Sequence, residues 1–190
     1  MARRKPVASR LGVVVERTFD LLLARCGPQD LPWSKSLLWK LVWLALAVDY
    51  FGTALLAEAE TTMLRFAVSF ACGLALPWLA LTLVGKRGRY VQTLTALLAT
   101  GIVVTLVFLP LALAAIAFGM TEATTGDSSS ARQGLVALLL LAVMVWKIWV
   151  VGNIWHHALE WPFLAGIGVA LLMFTFELGL DRLLFGVAPA

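Results

Sequence analysis

Charge and reactive side chains are scarce in this chain. Only 14% of its 190 residues are Asp, Glu, Lys or Arg, and it has two cysteines and two histidines. Cys26 and Cys72 lie far apart and neither belongs to a C-x-x-C pair, so no disulfide or zinc framework is implied. His156 and His157 are adjacent. On a helix they point about 100° apart, and no third histidine exists to complete a metal or haem site. Ser128, Ser129 and Ser130 have no histidine on their side of the chain, so no nucleophilic triad can be assembled. Gly85-Lys86-Arg87-Gly88 lacks the spacing of a phosphate-binding loop. The basic start Met1-Ala2-Arg3-Arg4-Lys5 is not followed by a compact apolar core with a cleavage site, and a cleaved signal peptide is not expected. The expectation is a chain without catalytic residues, cofactor or metal.

What the chain has in abundance is apolar length. Hydrophobic residues make up 61% of it and the mean hydropathy is +0.91, well beyond a soluble domain. A helix needs about 20 apolar residues to cross a hydrocarbon core of about 30 Å. Five segments reach that length: about 36–57, 62–84, 91–118, 134–152 and 161–185. The sequence therefore predicts an all-α, polytopic membrane protein of two parts. Residues 1–34 form a cytoplasmic basic arm and residues 35–186 a five-span transmembrane domain. Trp33, Trp39 and Trp43 open the first span as interfacial aromatics do. The third span is over-long, with Pro110 as a possible kink or end. Ser69-x-x-x-Gly73 and Gly166-x-Gly168 place small residues on helix faces, as close-packing sites do.

Within the arm, residues 10–26 follow a helical period. Leu11, Val15, Phe19, Leu22, Leu23 and Cys26 fall on one face, with Arg10, Arg17 and Arg25 beside it. Such an amphipathic interfacial helix rests on anionic headgroups; the rival reading docks it on the bundle or on a partner protein. The net charge of +4 does not indicate nucleic acid, because the cations cluster beside the membrane. Eight Lys and Arg residues lie in or just after the arm and three in the 85–90 turn, eleven of fifteen in all. An even number of spans separates the two groups, so both belong on the cytoplasmic side. The C-terminus then lies outside, in a bacterial inner membrane.

Three ionisable residues fall inside spans: Asp49, Lys147 and Glu177. Each costs about 2.5–3.5 kcal/mol to insert near the bilayer centre and must face a partner or water. Counted from the ends of the expected spans, the two acids share a depth and Lys147 lies nearer the cytoplasm. Arg65 is close enough to a span end to snorkel. The expected role of the three is a polar network that sets helix register. The alternative is a proton or cation path through Asp49 and Glu177.

The layout resembles the YIP (Ypt-interacting protein) family, small proteins with a cytosolic arm and five packed spans. Two segments carry the likeness. Residues 83–95, with the basic glycine turn followed by Gln92-Thr93-Leu94, are similar to the opening of the third span in bacterial members. Residues 146–155, Trp-Lys-Ile-Trp-Val-Val-Gly-Asn-Ile-Trp, are similar to their fourth span. The Asp-Leu-Tyr-Gly-Pro motif of eukaryotic members is absent, so binding of small GTPases does not carry over. The resemblance implies a fold and no catalytic residue. The expected function is a non-enzymatic inner-membrane scaffold or accessory subunit that organises membrane proteins or lipids. Its expected partners are anionic lipid and a second membrane protein or another copy of itself. The alternative is a small proton- or ion-coupled transporter or channel using Asp49 and Glu177.

Overall fold

The computed structural model describes residues 10–56, 62–118 and 131–186. Six helices follow one another: α1 (Arg10–Leu22), α2 (Lys35–Leu56), α3 (Thr62–Leu83), α4 (Tyr90–Ala117), α5 (Ala131–Leu159) and α6 (Phe163–Phe185). A short 3-10 turn at Pro28–Asp30 leads from α1 toward α2. Among the described residues there is no strand. Helices α2 to α6 are each long and apolar enough to span a bilayer, which makes this a multi-pass membrane protein. Ser128 to Ser130 lie outside the described residues, as do the side chains of Arg10 and Leu11.

The bundle is inside-out relative to a soluble protein. Phe51, Leu164, Leu172 and Leu183 are exposed on its outer surface, where lipid tails solvate them as well as a core would. The central helix is α4, which buries Thr93, Leu94, Thr95, Ala96 and Thr100. Two of the buried threonines bond back along the helix, Thr95 Oγ1 donating to Val91 O at 2.6 Å and Thr100 Oγ1 to Ala96 O at 2.8 Å, whereas Thr93 Oγ1 has no partner among the described residues. Pro110 does not end α4, which continues to Ala117.

Helices α5 and α6 form the tightest pair. A Cβ built on Gly166 would collide with the Gly152 carbonyl oxygen and lie 2.7 Å from His156 N. Backbone meets backbone there, so Gly166 is the close-packing residue that the sequence predicts. The other small residues behave differently. A Cβ on Gly168 or Gly73 would meet nothing within 4 Å, and Ser69 and Gly73 line a cavity instead of a helix contact.

Helix α5 continues to Leu159, seven residues past its expected end at Gly152, so His156 and His157 belong to its last turn. Each imidazole is held by a carbonyl: His156 Nδ1 meets Trp161 O, and His157 Nδ1 lies 2.9 Å from Asn153 O. No metal-binding group of three His, Cys, Asp or Glu occurs among the described residues.

The arm corrects an expectation. Helix α1 ends at Leu22, not Cys26, because Ala24 adopts φ 53° and breaks the helical path. It lies against α4 and α5, burying Val14, Thr18, Leu21 and Leu22. Of the expected apolar stripe, Val15, Phe19 and Leu23 point outward. The docked face is set by specific bonds. Trp146 Nε1 donates to Leu22 O at 3.0 Å, and Asn153 Nδ2 to Cys26 O at 3.2 Å. Gln92 Nε2 donates to Leu31 O at 3.2 Å. These donors satisfy carbonyls left free where the helix and its following turn end. Arg17 and Arg25 remain exposed, Arg17 beside Asp20 at 3.6 Å.

Candidate functional site

Between α2, α3, α4, α5 and α6 lies a cavity of about 580 Å³. Asp49 of α2, Lys147 of α5 and Glu177 of α6 all line it, so three helices deliver the three expected intramembrane charges to one space. Asp49 and Glu177 are each fourteen residues from the helix ends that share the side of the arm, a height of about 21 Å. Lys147 is twelve residues from Leu159 on that same side, about 18 Å. It stays nearer the side of the arm than the acids: where Gly152 meets Ile167, Lys147 is five residues from the contact and Glu177 ten.

The three charges are not locked together. Thr105 Oγ1 donates to Asp49 Oδ1 at 3.2 Å, and Thr53 Oγ1 bonds the Asp49 backbone oxygen at 2.8 Å. The Lys147 ammonium has no ion-pair or hydrogen-bond partner among the described residues, although its charge acts on both carboxylates. Glu177 likewise forms no ion pair among the described residues. The expected bracing contact through Lys147 is not made.

At the far end of the cavity, Arg65 grips Asp181 with both arms of its guanidinium, Nε donating to Oδ1 at 2.6 Å and Nη2 to Oδ2. Arg65 therefore pairs across α3 and α6 rather than snorkelling. Sequence reasoning passed over Asp181, which lies near the end of the last span and gives no periodic signal. The rest of the wall is chiefly apolar and aromatic, with Phe66, Phe70, Phe108 and Phe174. Phe66 and Phe70 stack at 5.8 Å, and Tyr50 meets Phe66 edge-on at 5.6 Å. Gly73 and Gly101 face the space with nothing within 4 Å of a built Cβ. Helix α3 touches its neighbours sparsely and carries Pro77 in its interior.

The opposite end is tied off by the basic turn. Lys86 Nζ donates to Leu159 O and to Glu160 Oε2, both at 2.6 Å. Arg89 donates to His157 O at 3.1 Å and Ala158 O at 3.2 Å, and its Nη2 meets Glu160 Oε1. Two cations thus cap the last carbonyls of α5, where the helix dipole favours positive charge. Bonding to Lys86 and then Arg89 holds the Glu160 carboxyl below the usual range. In the arm, burial first and then Asp30 and Asp20 push the Cys26 thiol up.

No family model, curated protein or solved structure matches this chain. Its class rests on the fold: a five-span helical membrane protein with a charged cavity inside the bundle.

Proposed function

We propose that this protein is a small membrane carrier that binds its cargo in the cavity and couples to protons through Asp49 and Glu177. The observation that supports it is the convergence of Asp49, Lys147 and Glu177 on one cavity, with Lys147 paired to neither acid. Intramembrane charges are retained at a cost, and a cargo or proton path is their usual use. A scaffold, the role expected first, needs neither the cavity nor an unpaired cation. No catalytic role is proposed.

The test is flux. Proteoliposomes carrying the protein and supplied with small organic ions as exchange partners should dissipate an imposed pH gradient faster than protein-free vesicles given the same ions. Asp49→Asn and Glu177→Gln should each return the rate to that of protein-free vesicles while melting in detergent at the wild-type temperature. Wild-type vesicles no leakier than empty ones would return the molecule to the scaffold reading.

The setting belongs to the same proposal. The basic arm and turn face the cytoplasm of a bacterial inner membrane, with the C-terminus outside. The outward stripe of Val15, Phe19 and Leu23, flanked by Arg17 and Arg25, rests on anionic headgroups. Membership of the YIP family is proposed on residues 83–95 and 146–155.

A further inference from the structure

The charges around the cavity can be counted helix by helix. Helix α2 contributes Asp49, α3 contributes Arg65, α5 contributes Lys147, and α6 contributes Glu177 and Asp181; α4 contributes none. Arg65 and Asp181 neutralise each other at the far end. That leaves two carboxylates against one ammonium, an excess of one negative charge when both acids are ionised. One bound proton, or one monovalent cation, balances it.

Size and lining separate those two occupants. A water molecule takes about 30 Å³ of liquid, so a space of about 580 Å³ is far larger than a bare ion needs. It falls within the range of pockets for small organic molecules, roughly 300–1,000 Å³. The wall is mostly apolar, and it includes phenylalanines, whose rings attract organic cations. Gly73 and Gly101 add room where any side chain would intrude.

We infer that the cavity takes an apolar organic monocation, seated between the Asp49 and Glu177 carboxylates and the phenylalanine walls, in exchange for one proton. This inference rests on the carrier reading and names its cargo class. The cargo itself keeps all its bonds: the cation enters, one carboxylic acid breaks its O–H bond and passes the proton to water, and the net charge of the cavity stays at zero. Lys147 limits the cargo to a single charge, because a dication would leave the site positive.

Tetraphenylphosphonium and the equally shaped anion tetraphenylborate form the matched probe pair, with binding measured by calorimetry on the full protein in detergent. The wild type should bind the phosphonium at one site, release close to one proton per cation, and bind more weakly as pH falls. Asp49→Asn and Glu177→Gln should abolish that binding. Lys147→Met should strengthen it by roughly tenfold, since a like charge is removed from the same low-dielectric space. Gly101→Phe should block the site sterically while leaving all charges in place. Equal or tighter binding of tetraphenylborate at the same site would overturn the inference, as would phosphonium binding indifferent to Asp49 and Glu177. A wild type that binds no phosphonium yet retains flux dependent on Asp49 and Glu177 would sink the cargo class and leave the carrier standing. Phosphonium binding as described without any flux would remove the carrier reading alone, leaving a cation receptor.

Discussion

Glu160 holds two loads at once. It occupies φ 56°, a left-handed conformation that normally suits glycine, and its carboxylate joins Lys86 to Arg89. Its folded carboxyl titrates below the ordinary value, so the stabilisation is complete above the ordinary glutamate range and is lost as pH falls through the folded value. The melting temperature in detergent should therefore hold between neutrality and about pH 4.3 and decline below it. Glu160→Gln should remove that acid-limb decline, and an unchanged acid limb in the variant would disprove the link. Gly166 and Gly168 provide a matched pair. Gly166→Ala drives a methyl group into α5 backbone and should cost about 1–3 kcal/mol in a thermal melt, whereas Gly168→Ala should be neutral or slightly stabilising. A Gly-x-Gly spacing alone could not tell the two apart, because it marks small residues without saying which faces a neighbour.

At the scale of elements, the five spans were legible because length and apolarity alone decide whether a helix can cross a bilayer. Their ends were less so. Helix α5 overruns its expected stop although Val151 to His157 are weak helix formers, because Gly152 packs against α6 and the terminal carbonyls are taken by Lys86 and Arg89, residues far away in sequence. The arm was legible as a helix but not as to its face. A period of 3.6 defines apolar rows, and α1 has two of them: Val14, Thr18, Leu21 and Leu22 inward, and Val15, Phe19 and Leu23 outward. What selects the inward row is a set of donors on α4 and α5, namely Gln92, Trp146 and Asn153. All three lie in the two segments that carry the family resemblance, which gives those segments a physical task. Trp146→Phe keeps the ring and deletes the bond to Leu22 O. It should loosen α1, seen as faster trypsin cleavage at Arg17 and Arg25 than in the wild type. Unchanged cleavage would mean that packing of Leu21 and Leu22 suffices. Helices α3 and α6 are joined by Arg65 and Asp181, a bidentate pair at the cavity's end. Arg65→Asp should lower the melting temperature, and adding Asp181→Arg should recover much of the loss, with a coupling of about 1 kcal/mol or more. Additive losses would rule out a direct pairing.

For the whole molecule, the charges in the cavity were legible one by one, since Asp49, Lys147 and Glu177 interrupt apolar runs. The cavity itself was not, because nothing in a single helix states that α3 stands off from the other four. Orientation is a property of the whole chain. The arm, the 85–90 turn and the α5–α6 turn meet at one end of the bundle, where Gln92 reaches Leu31 and Lys86 reaches Glu160. Eleven of the fifteen Lys and Arg residues belong to the arm, the start of α2 or that turn, which is the basis for proposing that this end faces the cytoplasm. With five spans, the C-terminus must then emerge on the opposite side from the arm. Reporter fusions in the arm and at Gly88 should read as cytoplasmic, and fusions at Ser129 and after Ala190 as external. A cytoplasmic signal from Ser129 would overturn the arrangement, since it would require α4 to turn back within the bilayer. That outcome would also put the Arg65–Asp181 end of the cavity on the wrong side for exchange across the membrane. The Ser129 fusion is therefore the position whose result bears on both the topology and the carrier reading.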